Sequence, residues 1–367
     1  MLYRPSRRTF LKTASAACLG SAVAGKLLSP ERSQAQTVSL SGASLKSAAS
    51  RHGRYYGVAL NSWTLQQDAV YANITAQECS IVIAENALKW DATEPDPGRF
   101  TFEQADIIAN FCRSHGIRLH GHTFVWHEAL PYWLQGNYPP PLDVLERHML
   151  ALIPRYQDIT YAWNVVNEVI NHYDRYQLRV PREYIRDAFY IAASIASPQT
   201  QLVINDDVLE RNEGKQWEML KLLEYLKGQN VKVDGVGIQG HLFLVDDSHN
   251  FAPFSNFLNN VRNLGIRPYI TEMDVVVPKY SNQETIEQID WRTADLYKRL
   301  LDVSLAGGIN HIFTWGLSDR YTWWRQYPFL SYITDNGFRT VNQVRPLLYD
   351  DNMQPKLARQ RVYEAFI

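Results

Sequence analysis

The chain has 367 residues, 46% of them hydrophobic, and its 37 basic side chains against 38 acidic ones give a formal charge of −1. That balance leaves no electrostatic footprint for nucleic acid or an anionic membrane, and a neutral partner fits it better. Ten Trp and 21 Tyr could stack on sugar faces, although the same residues also fill ordinary cores.

The first residues read as an address rather than a fold. Ser6-Arg7-Arg8-Thr9-Phe10-Leu11-Lys12 is a twin-arginine pattern, followed by an Ala/Ser/Gly-rich run to Leu28 and a small-residue site at Ser33-Gln34-Ala35. Residues 1–35 are therefore expected to be a signal peptide of the Tat route, which moves folded proteins to the periplasm or beyond, with no membrane anchor after processing. Its removal takes Cys18 away and leaves Cys79 and Cys112, both read as buried structural thiols. Residues 36–50 read as a flexible lead-in and 51–367 as one catalytic domain.

From Arg51 onward, short apolar runs alternate with longer segments of helical period, the pattern of βα units. The expected strands are Tyr56–Leu60, Ile81–Asn86, Arg118–Trp126, Tyr161–Glu168, Gln201–Asp207, Gly235–Gly240, Pro268–Val275 and Ile312–Leu317. Helical candidates between them include Phe102–His115, Leu142–Tyr156, Tyr184–Ala196, Lys215–Lys227 and Thr285–Leu305, with Gly116 and Gly228 as closing residues. Eight strands with intervening helices predict an α/β fold, a closed (β/α)8 TIM barrel in a single domain, rather than a doubly wound sheet.

Active sites of such barrels lie at the C-terminal ends of the strands, and polar residues cluster there. Strand two ends in Glu85-Asn86 with Lys89 beyond; strand three carries His120 and His122 and runs into Trp126-His127. Strand four ends in Asn167-Glu168, five in Asn205-Asp206-Asp207, six in Gln239-Gly240-His241, seven in Glu272-Met273-Asp274, and eight carries Trp315. A carboxylate after a run as apolar as Ala162–Val166 is costly to desolvate unless it is paired. A salt-bridged strand end explains one such Glu. Two at equivalent positions on different sides of a barrel mouth suit glycoside hydrolysis, which needs an acid for the leaving oxygen and a carboxylate across the anomeric carbon.

His120 and His122 alternate on one strand face as metal ligands would. Against that, His127 and Glu128 lie past the strand end, Trp126 intervenes, and His241 is the remaining His at a strand end. The reading is of no metal and no cofactor. No Gly-rich loop followed by Lys-Ser/Thr suggests a phosphate site.

At these residues the sequence resembles the family 10 glycoside hydrolases, chiefly endo-1,4-β-xylanases. The resemblance runs from about Tyr56 to the C-terminus through Ala84–Trp90, Gly121–His127, Trp163–Glu168, Gly237–His241, Thr271–Asp274 and Trp315–Asp319. It implies a retaining enzyme with Glu168 as acid/base and Glu272 as nucleophile, acting on xylan; separately, the chain is expected to be a monomer. It also implies that Asn167 bonds the 2-hydroxyl of the sugar in subsite −1 and that His241 orients Glu272. His122, Lys89, Trp126, Gln239 and Trp315 would line subsite −1, with Glu85, Asn86 and Trp323 toward subsite −2. Trp90, Trp163 and His120 read as core. Two positions depart from the family pattern: Ala129 stands where a Gln is usual, and Asp207-Val208 where Tyr-Asn is usual. The first implies a looser subsite −2 and weaker discrimination against glucose; the second implies a changed leaving-group side. Other readings are the same mechanism on decorated xylan, aryl β-glycosides or β-1,4-glucan, and a carbohydrate-binding barrel that has lost catalysis.

Overall fold

The structure, a computed structural model, describes residues 43–171, 176–243, 249–277, 284–326, 329–331 and 340–367. The twin-arginine segment, its small-residue site and residues 36–42 lie outside the described residues.

Eight strands form the barrel: β1 (Tyr55–Leu60), β2 (Ile81–Ala84), β3 (Arg118–Val125), β4 (Thr160–Asn167), β5 (Gln201–Asp206), β6 (Gly235–Ile238), β7 (Arg267–Val276) and β8 (His311–Thr314). Each pairs in parallel with the next, and β8 pairs with β1 through Tyr55↔His311 to close the sheet. With one face on the helices and the other inside the barrel, the strands have no wet side. Hence β2 is Ile-Val-Ile-Ala with every residue buried. A short strand, His241–Phe243, extends the β6 end alongside β7, setting His241 beside Asp274.

Helices among the described residues include α1 (Leu45–Ser50), α2 (Ala69–Glu78), α3 (Glu103–His115), α4 (Leu142–Tyr156), α5 (Arg182–Ile195), α6 (Glu213–Gly228), α7 (Ala252–Asn263), α8 (Ile286–Ala306) and α9 (Leu357–Phe366). Local signals fix their ends. The Asp68 carboxylate accepts from Val70 N and Tyr71 N to start α2, and Gly116, at φ 63°, ends α3 in the left-handed region that favours glycine. Gly228, expected to close α6, is instead its last helical residue, and Asn230 takes the left-handed turn at φ 56°.

The expected flexible lead-in over 36–50 is corrected in its last residues, which are part of the folded body. Leu45–Ser50 form α1, with Leu45, Ala48 and Ala49 buried. The Leu45 N–H donates to Glu78 Oε2 at 2.6 Å, and Glu78 Oε1 accepts from Tyr349 Oη at 2.7 Å and from Arg359 Nη2 at 2.8 Å. One buried carboxylate thus ties α1 and α2 to α9 and the chain before it. Cys79 and Cys112 are both buried and free. Trp163 packs on bare backbone: a Cβ on Gly121 would lie 2.0 Å from its ring.

Candidate active site

The C-terminal ends of the strands open into a cleft of about 600 Å³. Lining it are Glu85, Asn86, Lys89, His122, Trp126, Asn167, Glu168, His241, Glu272, Trp315, Trp323, Gln326 and Phe329. Of the residues expected to act in catalysis or to bind the sugars at subsites −1 and −2, all but Gln239 are in this wall, while Ala129 and the strand-five aspartates are not. The Gln239 side chain is buried behind it, and its Nε2 donates to Glu168 Oε1 at 3.0 Å.

Each side chain is placed by what lies beneath it. Below the mouth, His120 Nε2 and His122 Nδ1 both contact the Asn164 amide, at 2.8 and 2.9 Å. That bridge orients His122 toward Trp315, with ring centroids 5.6 Å apart. His120 is core, as are Trp90 and Trp163. Burial lowers the His120 pKa to about 4, outweighing its bond to Asn164, so the ring is neutral at ordinary pH. Beyond β2, Lys89 Nζ donates to Asn86 Oδ1 at 2.6 Å and sits 4.9 Å from the centre of the Trp126 ring. Burial pushes the Glu85 carboxyl up, with Lys89 and the amides of Asn61 and Asn86 opposing.

Glu272 is held from two sides. Thr271 Oγ1 donates to Asn205 Oδ1 at 2.6 Å, which fixes the orientation of that amide. Asn205 Nδ2 then donates to Glu272 Oε1 at 2.7 Å and to Asn167 Oδ1 at 2.8 Å. On the other oxygen, His241 Nε2 lies 3.1 Å from Glu272 Oε2, while His241 Nδ1 lies 3.0 Å from Asp274 Oδ1. With a carboxylate at each nitrogen the ring carries both protons: burial opposes the charge, but Asp274 and Glu272 outweigh it and raise the pKa to about 9. Trp323 Nε1 donates to Asp274 Oδ2 at 2.7 Å, so the same relay reaches a cleft-lining indole.

The structure also shows what sequence reasoning missed. Asn205 and Asp274 were visible only as polar strand ends, and their work is to orient other groups. Asp206 and Asp207, read as pointing at the mouth, turn instead to Lys215 of α6, and neither lines the cleft. Ala129 is buried, its carbonyl accepting from Asp91 N at 3.1 Å, and it too is absent from the cleft wall. The looser subsite expected from Ala129 therefore has no opening at that methyl. Two strand ends break into the left-handed region: Glu168 at φ 52° and Val208 at φ 50°.

A closed (β/α)8 barrel whose mouth holds two strand-end glutamates among tryptophans is the framework of a glycoside hydrolase. Comparison with known proteins narrows the class. Residues 44–365 match the profile of Glycosyl hydrolase family 10, and the chain belongs to that family. The match begins one residue before α1, in keeping with a folded body that starts there. Among its relatives, an endo-1,4-beta-xylanase of Agaricus bisporus is 34% identical over 291 residues, spanning 76% of this chain and 85% of the relative. The crystal structure of native xylanase 10B from Thermotoga maritima superposes with a TM-score of 0.77 at 30% identity, covering 88% of this chain and 98% of that one. Xylanase 10B from Thermotoga petrophila RKU-1, solved in complex with xylobiose, gives a TM-score of 0.77 at 28% identity over 89% and 97% of the two chains.

Proposed function

We propose that the protein is a retaining endo-1,4-β-xylanase that cleaves internal bonds of xylan by double displacement. The observation that carries this reading is the contrast between two glutamates in one cleft. Glu272 accepts from the Asn205 amide and faces the cationic ring of His241, so its two oxygens are held for attack. Glu168 accepts from the neutral amide of Gln239. In this reading Glu272 attacks the anomeric carbon as nucleophile, while Glu168 gives its proton to the departing glycosidic oxygen. Glu168 then takes a proton from the water that opens the glycosyl-enzyme. In the same reading Asn167, whose Oδ1 accepts from Asn205, bonds the 2-hydroxyl at subsite −1, a contact that strengthens as the oxocarbenium-like state forms. Lys89, His122, Trp126 and Trp315 wall that subsite with Gln239 behind it; Glu85, Asn86 and Trp323 extend the wall toward subsite −2. The xylanase names of the relatives support xylan as substrate.

Two experiments test the reading. Reducing-sugar release from xylan, arabinoxylan and cellulose should favour the xylans. Proton NMR of the first product should show the β-anomer, because in retaining glycosidases the two carboxyl groups sit only about 5–5.5 Å apart and leave no room for an attacking water between them. An initial α-anomer would contradict double displacement.

We further infer export by the Tat route, on the strength of Arg7-Arg8 and the small-residue site at Ser33-Gln34-Ala35. Replacing both arginines by lysine should retain the protein in the cytoplasm; unchanged export would refute the assignment.

A further inference from the structure

Behind β5, away from the cleft, a lysine is wholly buried. Lys215 has no side-chain exposure, its Nζ lies 2.7 Å from Asp206 Oδ1, and it is also paired with Asp207. An isolated buried ammonium would lose its proton, but here the two carboxylates outweigh burial and push the Lys215 pKa up, so it is a fixed cation. Burial drives the Asp206 carboxyl up while Lys215 opposes. Among the described residues, the titratable groups that face this cluster include Glu168 and Tyr138, with Glu210 beyond Asp207.

The cluster bears on the turn that carries Glu168. Asp206 Oδ2 accepts the Ile170 N–H at 3.2 Å, two residues past Glu168, and Asp206 Oδ1 accepts the Asp207 N–H at 3.0 Å. On the near side, Glu168 N donates to Asn205 O at 2.9 Å. Between these anchors Glu168 adopts φ 52°, a conformation that a non-glycine residue keeps only where its surroundings over-determine it.

The geometry points to Lys215 as a positioning residue for the acid/base: by holding Asp206 as an acceptor for Ile170 N–H, it keeps Glu168 in its left-handed turn and its carboxyl aimed into the cleft. The inference rests on the reading of Glu168 as acid/base. Lys215 touches neither substrate nor the reacting atoms.

Its test is the dependence of rate on leaving group, which a merely structural residue does not alter. Aryl β-xylobiosides from dinitrophenyl to phenyl would be assayed with Lys215→Met, Lys215→Arg and Asp206→Asn. Loss of a well-placed acid is felt only where the leaving group needs protonation. Lys215→Met should therefore lower kcat/KM for the phenyl substrate by roughly 10–100-fold more than for the dinitrophenyl substrate, and Lys215→Arg should restore most of the difference. Where Lys215→Met does not fold, Asp206→Asn answers in its place and should show the same steepening to a smaller degree. Equal losses for both substrates in a folded variant, or no loss, would overturn the proposal. Glu168→Ala is the control: if it produces no steepening, the acid/base reading fails and not the role of Lys215.

Discussion

On the β7 side of the cleft, Glu272 is held by an amide and a cationic ring, and that ring is itself locked by Asp274. On the β4 side, Glu168 accepts from the neutral amide of Gln239, and the Asp206–Lys215–Asp207 cluster lies behind the wall next to the turn that carries it. One carboxylate is bonded at both oxygens by an amide and a ring, while the other has its backbone anchored on either side as well as an amide on one oxygen. The difference teaches how one barrel mouth supports two chemistries. In the proposed roles, a nucleophile gains from oxygens held in one orientation, whereas an acid/base must gain and lose a proton during the cycle.

The comparison can be broken at several points, with effects of decreasing size. Glu272→Ala should lower kcat for every substrate by at least about 10^4-fold, since removing a nucleophile stops the reaction whatever the leaving group. Glu168→Ala should cost about 10²–10⁴-fold on xylan and far less on a dinitrophenyl xylobioside. His241→Asn removes the cation from Glu272 and from Asp274 Oδ1, leaving Asp274 its bond from Trp323; about 10–100-fold in kcat/KM is expected, with no change in leaving-group dependence. A steepened dependence in that variant would erase the distinction between the two sides.

His241 also gives a pH test whose sign is fixed by its raised pKa. A group protonated more readily in the folded state stabilises that state fully below its ordinary value of 6.5, and this contribution is lost as pH rises through about 9. The stability difference between the native protein and His241→Asn, measured by urea unfolding, should therefore shrink from pH 6.5 to 9. A constant difference across that range would mean that the ring is not held as a cation.

The smallest effect concerns the other left-handed strand end. Val208 is β-branched at φ 50°, and its position is where the family pattern has an Asn, which tolerates that conformation. Val208→Asn should raise stability by about 1 kcal/mol, or roughly 2–4 °C in Tm, with kcat unchanged. A fall in Tm would show that packing of the valine outweighs the strain.

Much of this was legible in the sequence, because strand and site signals are local. All eight strands were placed to within a few residues. Two of the misplaced ends share a cause: the strand expected to run to Glu168 stops at Asn167 where φ turns positive, and the one expected to reach Gly240 stops at Ile238, ahead of a glycine at φ 77°. What stayed hidden depends on distant partners. α1 looked like a loose leader because its docking requires Glu78 and Arg359. Asp206 and Asp207 looked like cleft residues because nothing in their own strand tells of a lysine waiting on α6. Asn205 gives no sign of its role until the barrel brings the ends of β4, β5 and β7 to one mouth.

The central claim, that Glu272 attacks and Glu168 handles the proton, is tested most directly by azide rescue of the two alanine variants on an activated aryl xylobioside. In Glu272→Ala a small anion can enter the vacated space and displace the leaving group once, giving an α-xylobiosyl azide. In Glu168→Ala the glycosyl-enzyme still forms on Glu272, and azide then opens it to the β-xylobiosyl azide. The account predicts this pairing; the reverse pairing, or the same anomer from both variants, would contradict it.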